Sequence, residues 1–538
     1  MLPIAMHFPL LALYAETHFR PFGILPSLLF RKEPEIVFDL PRRCGPGKEL
    51  PVMLIMNDID RFPAKVSSVT VVISHKAKRP EVVTFENPDS FLIRHPLDKQ
   101  AKVYVFTVLR DRLGTGATFI NCKATLSSGT RTWDVLNDNF QGSSRLPFSC
   151  FVSDEPLPAN EACSYGDLHI HSQYSQSFVE FGPPVSVIDL VADTCGIDFF
   201  SVTDHSYDLS CSLADYRTTD NDVSRWKSFN YDNFSASESR RVFIPGEEIS
   251  CYNSKRKTIH LCGLGIKDFI PGSSDGARKK PLSTLKLHEA IQTIHDQGGL
   301  AVAAHPGSRF GLFQRIILSR GSWLENDMAG KIDAVQAVNN GFGTSWGISK
   351  SLWIRELLKG HRLPLVAGND SHGDFNRYRY ISVPLVSISE NFNRYLSYCK
   401  TGIYKKTKSR DDVISQIRRG ATFVTSGPFV CLSSSESIDN NLVSSEGIPS
   451  VPGNITAIIK STYEFGTPCF LQVFCGKLGD KKESLVFTEG YREKSLSIFT
   501  KVPLEKTKFP GYIRAEVTCR TEDGAKTFAA TSPCYFDK

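Results

Sequence analysis

The stretch GDLHIHSQYSQS, Gly166 to Ser177, sets two histidines one position apart where an apolar run ends. In an extended strand, residues i and i+2 project from the same face. His169 and His171 therefore aim two imidazoles into one small volume, just after Asp167. Two polar rings are hard to satisfy in a packed core, whereas around a cation they are useful ligands. A chain built this way must bring further ligand-capable groups to the same place.

Other segments of the middle zone offer such groups. His205 follows FFSVTD, Glu247 and Glu248 follow RVFIPG, and His260 stands in TIHLCGLGI. His305 follows LAVAA, and Asp370 with His372 follows LPLVAGN. Most sit at or near the end of an apolar run, while His260 enters its strand. In parallel α/β architectures the carboxyl ends of strands open onto one rim, so dispersed segments can converge there. Neutral imidazole and carboxylate suit Zn²⁺, Mn²⁺ or Fe²⁺, and a carboxylate can bridge two ions. His169, His171, His260, His305, His372, Glu248 and Asp370 are enough ligands for two ions, with His205 spare for a third or for proton transfer. Two cations sharing a water lower its pKa and clamp the attacking and leaving oxygens of a hydrolysis.

The surrounding texture gives three zones. Short Val-, Ile-, Phe- and Thr-rich runs such as KVSSVTVVISH, AKVYVFTVLR and ATFINCKATL predict a β-sandwich-like domain over 34–152, after an N-terminal segment 1–33. SDEPLPANEA, at 153–162, reads as a linker. From 163 to 428 apolar strands alternate with helical periods. One helix is expected after Pro183-Pro184, capped by Ser186 and stopped by Gly196. A second is expected from Ser283 or Thr284, with Leu287, Ala290, Ile291 and Ile294 in one stripe, and a third over DDVISQIRRG, capped by Asp411. Such alternation implies parallel strands, in a barrel or an open sheet. Strand-like runs return over 429–538 and predict a second β-domain.

Composition excludes several classes. A net charge of +6 over 538 residues is thin, and the clusters Arg278-Lys279-Lys280 and Lys405-Lys406 read as solvated faces, so there is no clear nucleic-acid patch. Fourteen cysteines without a CxxC pair fit reduced thiols in a cytoplasmic protein. MLPIAMHFPLLALYAETHF lacks a positively charged start and is too short to span a bilayer, and no other segment is long and apolar enough.

The series GDLHIHS, SVTDHS, PGEEIS, an isolated histidine, AHPG and GNDSHG resembles the PHP (polymerase and histidinol phosphatase) superfamily of metallohydrolases. The tail RRGATFVTSGP and the flanking β-regions are similar to its CehA/McbA-type branch. The resemblance covers roughly Tyr165 to Pro428. It implies a distorted (β/α)7 TIM-like barrel between the two β-domains, holding two or three divalent ions (Zn, Mn or Fe). His169, His171, Glu248 and Asp370 would hold the first ion. Glu248 as bridge, with His260 and His305, would hold the second; His205 and His372 would belong to the third. The resemblance implies Glu248 over Glu247, because the family's glutamate follows Gly-x; the strand pleat would then turn Glu247 away. Many members read SDG after the paired histidines, where this chain has Ser175-Gln176-Ser177. The third-site acid is missing; Gln176 is a poorer ligand, and Glu180 is the candidate substitute.

With that acid absent, His205 is freer to act as general acid, and the expected catalytic set is His205, Asp370 and His372. Arg309 and Arg377 are candidates to meet an anionic substrate, with surface arginine as the plainer reading. Asp167 and Asp204 are candidates to orient a ligand imidazole through its other nitrogen, with capping as the plainer role. The function expected is hydrolysis of a small-molecule ester, most often a phosphoester, by a metal-bridging hydroxide. Carboxyl-ester or carbamate hydrolysis is the alternative within the resemblance, and a binding protein that has lost catalysis is the alternative outside it.

Overall fold

The alternating runs of the N-terminal zone form strands at Lys65–His75, Ala101–Val108 and Gly116–Ser128, each burying every second side chain over most of its length. The computed structural model describes residues 33–536 except 76–78, 94–100, 140–145, 176–181, 214–218, 236–240, 274–283, 311–314, 316–318, 330, 373–374, 377–379, 384–385, 390–394, 434–452, 493 and 505–510. A sheet containing Glu35–Asp39, Leu50–Asn57 and Ala101–Val108 shares a core with one built on Gly116–Ser128, Lys65–His75 and Phe148–Val152. Phe38, Leu54 and Phe106 from the first meet Val69, Val71 and Ile120 from the second. Each such burial contributes roughly 1.5–3 kcal/mol.

The middle zone corrects the expected architecture. The chain is mostly strand, and its largest sheet has fifteen strands in mixed directions. From one end it runs Leu365–Gly368, Ala334–Asn339, Leu300–Ala303, Thr258–Leu264, Val242–Tyr252, Phe199–Val202 and Ser164–His171. The expected distorted (β/α)7 barrel needs parallel strands throughout, each followed by a helix. Here Thr258–Leu264 is antiparallel to both neighbours, because a short connection returns it directly beside Val242–Tyr252. Beyond Ser164–His171 the sheet turns antiparallel through Lys400–Ile403 and Thr422–Thr425, then joins the C-terminal strands Lys526–Thr531 and Gly511–Arg520. These C-terminal strands are thus continuous with the central sheet, whereas Phe429–Ser433, Gly453–Lys460 and Ser497–Leu504 form a separate three-stranded sheet.

Helices are few among the described residues, and their starts differ from the sequence reading. Val185–Cys195 has Pro184 at its cap position, two residues before Ser186, and ends at Gly196 in the left-handed region. Leu287–Asp296 starts later than Ser283 or Thr284, because the Glu289 carboxylate accepts from the Lys286 N–H and fixes the first turn there. Arg410–Arg418 is capped by Ser409, whose hydroxyl accepts from Asp412 N–H, and not by Asp411.

The N-terminal strands are tied to the centre at a useful place. The carboxylate of buried Asp39 accepts from Phe375 N and Asn376 N, both at 2.8 Å, and so anchors the chain just after His372. All fourteen cysteines are free thiols. No described helix is long and apolar enough to cross a membrane.

Candidate metal centre

The strand Ser164–His171 is buried on both faces, and its pleat sends His169 and His171 to the same side with Nε2 atoms 3.3 Å apart. The short strand Ser371–His372 pairs parallel with its end, setting His372 opposite His171 with the two rings stacked at 4.0 Å. Asp370, just before it, has φ of +50°, and His305 has φ of +31°. Left-handed backbone is uncommon for residues other than glycine, so the chain holds both in conformations that the surroundings must stabilise.

Glu248 is the hub. It lies within Val242–Tyr252, not at a strand end, and its Oε1 faces His305 Nε2 at 3.0 Å and, closer still, His260 Nδ1. Its Oε2 faces His205 Nδ1 at 2.8 Å, His171 Nε2 at 3.3 Å and His169 Nε2 at 3.4 Å. Asp370 Oδ1 stands 3.2 Å from His171 Nε2 and 3.5 Å from His169 Nε2. The pleat turns Glu247 the other way, where Ile270 N–H donates to its Oε2 at 3.0 Å.

Three groups of ligand-capable atoms come together among the described residues, each within 4.8 Å: His169, His171, Glu248 and Asp370; His205, Glu248 and His260; His171, His205 and His372. The first has the membership that the resemblance implies. In the second, His205 stands where His305 was expected, while His305 lies 3.0 Å from Glu248 Oε1, the oxygen that also faces His260. Gln176, Glu180 and Arg377 lie outside the described residues, and Arg309 is exposed.

A cation suits this set. His205 Nδ1 and Glu248 Oε2 are buried with no hydrogen-bond partner, although only 2.8 Å separates them. Two buried, unsatisfied ligand atoms this close together suit a common ion. The nitrogen and carboxylate donors match Zn²⁺, Mn²⁺ or Fe²⁺.

Without an ion, the charges must balance among themselves. Burial opposes ionisation of Glu248, but the imidazoles of His260, His169 and His205 hold its carboxyl well below the usual range. Burial likewise opposes protonation of His171, yet the Asp370 and Glu248 carboxylates, as acceptors for its N–H, raise it to about 9. His169 is raised well above its ordinary value against burial, by the Cys262 sulphur and the Glu248 and Asp370 carboxylates. His260 goes the other way, to about 4, through burial and the adjacent Arg320 charge, with Glu248 opposing. Glu247, desolvated with one backbone donor, is pushed well above the carboxylate range.

The expected roles of Asp167 and Asp204 are corrected. Neither meets a ring nitrogen. Asp167 accepts from the backbone N–H of His169, Asn369 and Ser397 and from Asn369 Nδ2 at 2.6 Å, and burial raises its carboxyl to about 6. Asp204 accepts from Ser172 N and Ser172 Oγ at 2.7 and 2.6 Å. Short carboxylates this close to the backbone find main-chain donors first, so they brace the loops instead of the rings.

The side chains that orient the rings are others. His169 Nδ1 donates to Gln336 Oε1 at 2.8 Å, and His171 Nδ1 lies 3.0 Å from Ser175 Oγ, which also accepts from His205 N–H. Gln336 could have been found, because it is the one polar side chain inside the apolar run AVQAV. Arg320, against His260, carries no such signal.

Gly368 permits the approach of two strands. A Cβ there would stand 2.5 Å from His169 Cβ and 2.8 Å from His169 N. Gly368→Ala is expected to push His169 out of place, lowering metal affinity about 10–100-fold and stability by roughly 1–3 kcal/mol. A competition titration against a chelating dye checks this, and wild-type affinity would refute it.

No protein-family model matches the chain, and no curated protein does. Solved structures that match include a Parabacteroides merdae β-glucuronidase, at 9% identity and TM-score 0.18, covering 93% of this chain and 63% of that one. The same enzyme with glycerol in its active site gives 10% identity, a TM-score of 0.19 and the same coverage. A Paenibacillus sp. cycloisomaltooligosaccharide glucanotransferase, complexed with cycloisomaltoheptaose, gives 10% identity and TM-score 0.16, covering 93% of this chain and 71% of that one. The chain spans less than two thirds of the glucuronidase. TM-scores this low correspond to no shared superposition, and no feature of the site is taken from these enzymes.

Proposed function

We propose that the chain is a metal-dependent hydrolase of small-molecule esters, phosphate esters foremost. One observation carries this reading: four buried ligand-capable side chains, His169, His171, Glu248 and Asp370, converge within 4.8 Å, and Glu248 is shared with a second group. His169, His171, Glu248 and Asp370 would hold one ion, and Glu248 with His205 and His260 a second, as Zn²⁺, Mn²⁺ or Fe²⁺. The resemblance of the ordered motifs to PHP metallohydrolases supports phosphate esters over carboxyl esters.

Bound ions would supply an acidified water and positive charge against the charge that develops on the scissile group. The protein's own part follows from its geometry. Burial keeps water out and strengthens each electrostatic contact. Gln336 and Ser175 fix the two paired imidazoles from behind. His205 Nε2, 3.4 Å from His372 Nε2, can hold a proton between two rings and release it to a departing oxygen.

Metal analysis of purified protein, followed by assays on nitrophenyl phosphate, a bis-nitrophenyl phosphodiester and nitrophenyl acetate, tests the reading. At least one transition metal per chain and chelator-sensitive turnover of a phosphate ester are expected. A metal-poor protein sinks the hydrolase reading, and acetate turnover alone moves it to carboxyl esters. Asp370→Asn keeps shape while removing a ligand charge. Activity should fall about 100-fold in a variant that still folds, and wild-type turnover in that variant would place the site elsewhere.

A further inference from the structure

The hairpin that carries Glu248 and His260 runs past them to a cavity of about 770 Å³ at its tip. Tyr252 and Thr258 form the cross-strand pair that follows Ser250 and His260 on the same face. Four residues, roughly 13 Å of strand, separate Glu248 from Tyr252. None of the described residues lining the cavity belongs to a ligand group, so it is a place apart from the metal centre.

Three segments wall the cavity, and backbone fixes each of them. Tyr252 bridges Lys286, with Tyr252 N–H donating to Leu285 O at 2.9 Å, and Thr258 N–H donates to Ser319 O at 3.0 Å. Buried Asn253 accepts from Lys255 N–H and Lys257 N–H and donates from Nδ2 to Ser322 O. That side chain sets the tip turn, where Arg256 takes left-handed backbone at φ of +56°. Walls held in place before binding lose little freedom when the cavity fills, and its size is that of a small-molecule site.

The lining decides what fits. Leu287 and Ile291, from the buried stripe of their helix, join Tyr252 as an apolar floor. Arg256, Lys286 and His288 stand exposed around it. The acid among the described lining residues is Asp327, and both its oxygens are engaged. Oδ1 accepts from Ser254 N–H at 2.9 Å and Oδ2 from Leu324 N–H at 3.0 Å. Lys286 has an exposed partner in Glu289 at 3.8 Å, a pairing worth little in water. The first turn of Leu287–Asp296 adds the positive end of its dipole. An apolar floor beneath two permanent cations selects an organic anion. Its body covers the floor while its head group takes charge-assisted hydrogen bonds from Arg256 and Lys286.

We infer that the hairpin tip is a binding site for a small organic anion, a carboxylate or phosphate on an apolar body, separate from the metal centre. The inference does not depend on the hydrolase reading.

The test is calorimetric titration of benzoate, phenylphosphonate and neutral benzamide into full-length wild type, Arg256→Met/Lys286→Met and Asp370→Asn. At least one anion should bind wild type about tenfold or more tightly than benzamide does, and the double variant about tenfold or more weakly. Asp370→Asn should bind that anion within about twofold of wild type, because the cavity does not include the metal centre. The tighter of the two anions identifies the head group. Absence of binding by either anion up to about 10 mM overturns the inference, as does a double-variant Kd within about twofold of wild type. Binding that Asp370→Asn abolishes also overturns it, because the anion then sits at the metal centre. Should the double variant not fold, crystal structures of wild type with benzoate and with phenylphosphonate decide. An anion on Arg256 and Lys286 supports the inference, and anions found only elsewhere overturn it.

Discussion

Glu248→Gln is expected to lower ester turnover about 10³-fold or more, the several kcal/mol that Lewis-acid stabilisation contributes, and to leave less than one ion per chain. Glu248 faces His305 at 3.0 Å and His205 at 2.8 Å, three further imidazoles surround it, and among the described residues it alone belongs to both the His169/His171/Asp370 group and the His205/His260 group. The amide keeps the shape but donates at one end, where every neighbour also presents ring nitrogens. Folding should survive, because the imidazoles can shed their protons once the counter-charge is gone. Metal analysis with a parallel turnover assay checks the outcome. A variant that still holds its full ions and activity would show that Glu248 is only a counter-ion for histidines.

The convergence of these groups could be read from the chain because period-2 geometry is local. His169 and His171 share a face by two-residue spacing alone, and the same rule separates Glu247 from Glu248. Architecture was less legible. Apolar runs alternating with helical periods fit a parallel barrel, but the direction of Thr258–Leu264 depends on the short return after Tyr252, which periodicity does not encode. That return also places Glu248 mid-strand, across from His260's neighbourhood, where a strand-end reading could not put it. The β-domain boundary near 428 looked like a change of texture, yet Thr422–Thr425 pairs with Lys526–Thr531 across about a hundred residues of chain. Arg320 escaped notice for the same reason: a lone arginine gains meaning only from the strand it lies beside.

Stability without ions should fall as pH rises above about 6.5. On the alkaline side the groups concerned are His171, raised to about 9, and His169, raised well above its ordinary value. A raised folded pKa means that the folded state binds protons more tightly than the unfolded chain. The stabilisation is complete below about 6.5 and is lost as pH rises through about 9, on the order of 3 kcal/mol from His171 alone. On the acid side His260, lowered to about 4, has the opposite sign, because the unfolded chain takes its proton first, and Asp167, raised to about 6, offsets that loss over the same range. Ion binding reverses the alkaline arm, because ions need the lone pairs that those protons occupy. Apparent affinity should rise with pH between about 6.5 and 9, by up to about tenfold per unit for each proton released. Thermal melts with and without a chelator, run across this range, should diverge by several degrees as pH rises. Parallel curves would mean that the protons on His169 and His171 are not displaced by ions, and that the ligands lie elsewhere.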